Sequence, residues 1–299
     1  MRALSDSLSR DYSILFTCPF LRRNQVSAVV RKEFGSKACD RKDLLDIIDE
    51  EWNAMRKEKP FLFNQSKFRY FSGTMTDQPA PHCHLNLGLT DYKSYIGSNM
   101  GRRWEVFYRE GEKIGDPNAF FGNPFGNQCT VVLNDGYHIL LNRSYQVTEN
   151  EGLLCCVGGH SEPSVLHIQS YEDAAATPSD AIVGELFDSM QREVHEETNI
   201  PYDLVSKMSM TGVLQSNVSH GRQVHLFCCY VDLNRQQVLE YYRKGPEDQY
   251  ESLGIKFLTL DAIVEGINAH PELYVPEMRG AYAALLAIEP HFQSYLVNP

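Results

Sequence analysis

Apolar residues recur along this chain in two rhythms. Tyr12 to Phe16, Lys67 to Thr76 and His84 to Leu89 cluster or alternate as strands do. Leu44, Leu45, Ile48, Trp52 and Met55 instead return at the three- and four-residue spacing of one helix face. Asp40 is placed to cap that helix and Pro60 to stop it. Further on, Thr130–Leu133 and Tyr137–Leu141 flank Asn134-Asp135-Gly136, a hairpin signal because Asn and Gly accept positive φ. Leu153–Val157, Val213–Leu214, Val224–Val231 and Lys256–Leu260 read as further strands, and Gln236–Arg243 and Arg279–Ile288 as helices. Thr177 and Pro178 open a long helix that runs to Asn199. Strands and helices interleave without an internal repeat, which predicts a mixed α/β fold. The Gly-, Pro- and Asn-rich stretch from Gly111 to Asn127 predicts a junction between an N-terminal domain, residues 1–115, and a second domain, 116–299.

The 299 residues are 42% hydrophobic and 22% charged, which excludes a disordered or coiled-coil chain. The net charge of −11 argues against nucleic-acid or anionic-membrane partners, which require a basic face. An anionic substrate would therefore need local cations or a metal. No run approaches a membrane span, and Met1 to Asp11 is too polar for a signal segment. Eight cysteines, including the adjacent pairs Cys155-Cys156 and Cys228-Cys229, are too few for a disulfide scaffold and read as reduced thiols. These features predict a soluble, intracellular, cytoplasmic protein; they say nothing about its oligomeric state.

The long helix carries the chemistry. With Glu193 as origin, Ile182, Leu186 and Met190 lie within about 60° of it, and Glu197 falls about 40° away, inside the same apolar arc. Glu196 lies on the edge of that arc. Carboxylates on the core side of a helix are costly unless paired or bound to a metal, and here they also crowd the negative end of the helix dipole. Hard oxygen ligands of this kind suit Mg²⁺ or Mn²⁺. The competing reading is an acidic, solvated helix end. His82-Cys83-His84 is a weak zinc signal without a second ligand pair, and Gly158-Gly159 lacks the Gly-Lys-Ser/Thr of a phosphate loop.

Arg192-Glu193-Val194-His195-Glu196-Glu197-Thr198-Asn199-Ile200 resembles the end of a Nudix box, G-x5-E-x7-R-E-U-x-E-E-x-G-U with U apolar, and Gly158-Gly159-His160-Ser161-Glu162-Pro163 resembles its start. Gly159 precedes Arg192 by 33 positions, a loop longer than the usual box by about 19 residues, so the box spans 159–200. Gly184 stands where the box places its first Glu, with Glu185 one position later, and Asn199 replaces the final Gly. PFLFNQSKFR (60–69), LGLTDYKSYIGSN (87–99), NRSYQV (142–147), GELFDSMQREVHEETNIP (184–201) and GPEDQYESLGIKF (245–257) resemble the UDP-glucose and UDP-galactose diphosphatases of the Nudix superfamily.

The resemblance implies a Nudix α/β/α sandwich with a smaller α+β N-terminal domain that contributes to a nucleotide pocket. It implies Mg²⁺-dependent hydrolysis of a UDP-sugar to UMP and sugar 1-phosphate, with Mn²⁺ as a possible substitute. Glu193 and Glu197 match its metal ligands. Glu196 is a candidate third ligand or base, and Arg192 a residue that orients a neighbouring carboxylate such as Glu196. Phe63, Tyr92, Arg143, His160 and Glu162 match its substrate contacts, whereas Cys155 and Glu277 replace an acid and a serine. Without the resemblance, Phe63 and Tyr92 read as core aromatics, Arg143 as a solvated charge and His160 as a loop residue. The rival functions are a diphosphatase for another linked nucleotide, such as ADP-ribose or a dinucleotide, and a non-catalytic nucleotide-sugar sensor.

Overall fold

The computed structural model describes residue 4 and residues 10–144, 152–245 and 252–297. The 142–147 and 245–257 motif stretches lie partly outside them. In chain order the elements are β1 (Tyr12–Leu21), β2 (Val26–Val30), α1 (Lys42–Glu58), β3 (Ser66–Thr76), β4 (His82–Asp91), α2 (Tyr92–Ser98) and α3 (Trp104–Lys113). Next come β5 (Gly126–Leu133), β6 (Tyr137–Arg143), β7 (Leu154–Cys155), β8 (Val157–His160), α4 (Tyr171–Ala176), α5 (Ser179–Thr198), β9 (Met208–Ser216) and β10 (Arg222–Val231). The chain closes with α6 (Arg235–Tyr242), β11 (Ser252–Thr259), α7 (Leu260–Ala269), α8 (Pro276–Ala287) and α9 (Glu289–Val297).

A mixed sheet in the order β1-β9-β10-β5-β6-β11 forms the middle layer, with β7 added to β6 and β8 to β5. Helices cover both of its faces, as alternation along β10 shows. Leu226 packs with Ala281 and Ala284 of α8, whereas its neighbour Phe227 meets Phe187 of α5 edge-on with ring centres 5.1 Å apart. This is the expected α/β/α sandwich. The hairpin of β5 and β6 pairs Val131 with Ile139, and Gly136 in its turn has φ of 80°, a conformation glycine adopts without strain. The expected strand at 153–157 is two short ones: β7 pairs with β6, and β8 crosses to β5.

A second sheet, β2-β4-β3, lies against the other side of α5. Its inward residues Val26, Ala28, Phe68, Cys83, Leu85 and Leu87 belong to the same continuous core as the large sheet. Helices α1, α2 and α3 form satellite clusters around Leu44, Ile48, Phe107 and Phe121 and around Trp52, Tyr95 and Ile96. β1 precedes this N-terminal layer in sequence yet pairs with β9, Ile14 opposite Leu214, so residues before position 115 supply one strand of the large sheet. Arg69 ties the layers together. Its buried guanidinium donates to the carbonyls of Phe34, Asn118 and Phe121 at 2.9, 2.7 and 3.3 Å. All eight cysteines are free, and only Cys39 is exposed. No helix among the described residues is long and apolar enough to cross a membrane.

Candidate active site

The apolar face of α5, Ile182, Val183, Leu186, Phe187, Met190 and Val194, is buried as its periodicity requires. Asn199 ends the helix in the left-handed conformation, φ 60°, the role it shares with glycine at such caps. The N-cap is Pro178, not Thr177, which instead closes α4. Glu197 continues the buried stripe at 6% exposure, while Glu193 and Glu196 sit at its partly open margin.

Glu193 lies directly on β8. A methyl group built on Gly159 would overlap the Glu193 carboxylate, so a glycine is required there to leave the carboxylate its cradle. The neighbouring Gly158 approaches backbone instead, with its Cβ position 2.7 Å from the Asn127 carbonyl oxygen. The glycine pair thus brings the strand end against α5. Two carboxylates one turn apart, the first in a cradle beside a strand end and the second buried, are oxygen donors of the type a hard divalent cation takes; among the described residues no group of three His, Cys, Asp or Glu side chains converges as a metal site.

Glu185 secures the same junction. It is 3% exposed, accepts from the Glu162 backbone N–H at 3.1 Å and from Arg192 Nη2 at 2.7 Å. Burial raises its carboxyl pKa above the ordinary range, against the opposing pull of these bonds. Sequence spacing pointed Arg192 toward Glu196, but this hydrogen bond runs back two turns to Glu185. Beneath it, Asn127 Nδ2 donates to Ser161 Oγ at 2.8 Å and to Ser189 Oγ at 2.9 Å, and the two hydroxyls lie 2.7 Å apart. These three buried groups fasten β5, the loop after β8 and α5 to one another.

The N-terminal layer meets the loop after β8 at Glu162. Lys67 Nζ donates to Glu162 Oε1 at 2.7 Å, and Gln65 Nε2 also donates to Glu162. Asn64 donates to Asp91 Oδ2 and accepts from the Lys93 N–H, both at 2.8 Å, which joins the Phe63 loop to the start of α2. Phe63 is 69% exposed. That is not the position of a core aromatic. Tyr92 is half-buried, edge-on to Trp52 with ring centres 6.1 Å apart. His160 ends β8 opposite Gly126; burial, then Lys67 and Arg222, hold its pKa well below the usual histidine range. Arg143 ends β6, where its backbone bonds Leu153 and Gly152, on a strand separate from the Glu162 cluster.

Glu277, 2% exposed at the start of α8, is paired with Arg222 at 3.2 Å, so its charge is compensated. Cys155 is buried and its thiol donates to the Leu141 carbonyl at 3.6 Å. His82 and His84 both hydrogen-bond the Ser27 hydroxyl at 2.9 Å while Cys83 turns into the core, so the three do not converge as ligands. Sequence reasoning missed Lys67 and Arg222, and noted Glu185 one position from the box's first Glu without giving it a role. The seven-residue step from Glu185 to Arg192, two helical turns, was a usable signal.

No family model matches the chain. It is 31% identical over 281 residues to the uridine diphosphate glucose pyrophosphatase NUDT22 of Bos taurus, covering 91% of this chain and 95% of that protein. To the Mus musculus protein of the same name it is 31% identical over 253 residues, covering 83% and 81%. Nudix hydrolase 9 of Arabidopsis thaliana is 29% identical over 265 residues, covering 84% of each chain. With its box residues gathered where β8 meets α5, and with similarity running through both layers, the chain belongs to the Nudix hydrolases, in the NUDT22 branch.

Proposed function

We propose that this protein hydrolyses the diphosphate of a UDP-sugar, releasing UMP and a sugar 1-phosphate, with Mg²⁺ held by Glu193 and Glu197. The observation that carries the reading is the Glu193 carboxylate seated in the cradle left open by Gly159, with buried Glu197 one turn further along α5. A divalent cation at these two residues supplies charge neutralisation at the diphosphate and a more acidic attacking water. The remaining work is positioning. Glu185 and Arg192 fix the loop that follows β8 against α5, so that Gly159 and Glu193 keep their register. Exposed Phe63 and half-buried Tyr92 offer aromatic surface to a base and ribose, and Glu162 and His160 would contact the sugar or phosphates. Glu196, at the open margin of the helix, is placed to act as a base or to hold a further ligand water. Arg143 adds a cation from the neighbouring strand.

The mammalian NUDT22 relatives are named for UDP-glucose, and that similarity is what supports uridine as the base, since aromatic stacking alone accepts any base. The test is a panel of UDP-glucose, UDP-galactose, ADP-ribose and a dinucleotide, assayed for monophosphate release with Mg²⁺, with Mn²⁺ and with chelator. UMP from the UDP-sugars, dependent on metal, is expected. Preference for an adenine-linked substrate would overturn the proposed base specificity, and binding without cleavage would make the protein a sensor. Glu193→Gln and Glu197→Gln should each abolish release while the metal-free melting temperature holds or rises, since a close carboxylate pair is relieved. Parent-like turnover in either variant would sink the metal assignment. Phe63→Ala should weaken nucleotide binding by about 1–3 kcal/mol without loss of stability, because the ring is exposed; the two are separated by titration and melting of the same sample.

A further inference from the structure

Two cations, one buried and one largely so, approach the end of β8 from different layers of the molecule. Lys67, on β3, is 7% exposed and donates to Glu162 at 2.7 Å and to Gln65 at 3.2 Å. Arg222, the first residue of β10, has a side chain 14% exposed, bonds Glu277 at 3.2 Å and lies 5.4 Å from the centre of the Tyr95 ring. The sheet sets their relation. Gly126 on β5 pairs with His160 on one side and with Val224, two residues from Arg222, on the other. Glu162 follows His160 by two positions. Burial first, and then both cations, hold the His160 pKa well below the usual histidine range.

Buried ion pairs contribute little net stability, because desolvation offsets their attraction. Two of them at one strand end are therefore not explained by folding alone. Desolvated, carboxylate-braced cations are suited to a polyanion, since their donors are already aimed and their charge is weakly screened. A chain of net charge −11 needs such a place.

We propose that Lys67 and Arg222 form a phosphate clamp that grips the diphosphate of the nucleotide at the end of β8, braced by Glu162 and Glu277. The clamp rests on the reading that this site takes a nucleoside diphosphate group, and it adds the residues that read its charge. Lys67 and Arg222 take the phosphate oxygens turned away from Glu193 and Glu197.

Titration calorimetry with UDP, UMP and inorganic pyrophosphate, in chelator and in Mg²⁺, tests this on the parent protein and on Lys67→Met, Arg222→Met and Lys67→Arg. The parent should bind pyrophosphate in competition with UDP. Each Met variant should weaken UDP binding at least tenfold and UMP binding less, and Lys67→Arg should recover most of the loss. A folded pair of Met variants with UDP affinity within twofold of the parent would overturn the clamp. Should they not fold, the parent decides alone: pyrophosphate that fails to compete in either buffer overturns it. These measurements need no turnover. Pyrophosphate bound through Lys67 without UMP release from UDP-sugars would sink the proposed reaction and keep the clamp, and parent-like cleavage by both Met variants would do the reverse.

Discussion

Two adjacent glycines at the end of β8 meet different obstacles, and the difference separates function from folding. At Gly159 the obstacle is the far end of a flexible side chain, Glu193. Gly159→Ala should therefore fold with a melting temperature within a few degrees of the parent, yet lose turnover by an order of magnitude or more as Glu193 is pushed from its cradle. At Gly158 the obstacle is the Asn127 carbonyl, which belongs to a sheet and cannot swing away. Gly158→Ala should lower stability first. Melting curves and UMP release on both variants check the contrast, and a stable, fully active Gly159→Ala protein would contradict it. The sequence could show that glycines stood there, because they head a recognisable box. It could not show what each one faces, since Glu193 and Asn127 reach them only through packing.

At the scale of elements, α5 was the most legible feature of the chain. Its face, its length and its left-handed Asn199 cap all follow from local spacing. Short α2 and α3 were not legible, because seven and ten residues carry too little periodic signal. The hairpin of β5 and β6 declared itself through its turn, whereas the division into β7 and β8 did not, because their partners lie on different strands. α5 also allows a prediction about pH. Glu185 is buried and already has a raised pKa, and Arg192 is the cation that opposes the rise. Arg192→Met should cost about 1.5–3 kcal/mol, the range for losing a hydrogen bond to a charged group. A carboxyl with folded pKa above its unfolded value binds its proton more tightly when folded, so stability falls as pH rises through that window. The variant should therefore lose more relative to the parent at pH 8 than at pH 5, measured by urea midpoints; an equal loss at both would show that Glu185 does not take up the proton.

Across the whole molecule, His225 joins His160 in shaping the acid limit, since both have a depressed pKa. His225 on β10 is fully buried, both its ring nitrogens lack a hydrogen-bond partner among the described residues, and it stacks on Phe125 with ring centres 5.1 Å apart. Burial pushes its pKa down to about 3. The unfolded chain takes up a proton near the ordinary value of about 6.5, so the folded state loses stability as pH falls from there toward 3, by roughly 1.4 kcal/mol per unit. His225→Phe should make this acid limb shallower between pH 6 and 4, with His160 supplying the remainder, while leaving stability at pH 8 unchanged or higher. Melting temperature against pH for both proteins checks it, and parallel curves would clear His225 of the effect. None of this could be read from the sequence, where His225 is one polar letter in an apolar strand. The same holds for Lys67 with Glu162, ion-paired across 95 positions.

The pairing of β1 with β9 has a consequence in time. The ribosome delivers Tyr12–Leu21 first, but the strand it lies against, Met208–Ser216, comes about 200 residues later. At the usual elongation rate of about 5–20 residues per second, β1 waits roughly 10–40 s without its partner. Ile14 and Leu15 remain exposed even after it docks, so the waiting segment presents an apolar β-former to any other nascent strand. Early in synthesis the emerging chain is thus most vulnerable at its first strand, and a slow stretch of translation between α1 and β9 should lower the yield of native protein more than one placed after β10.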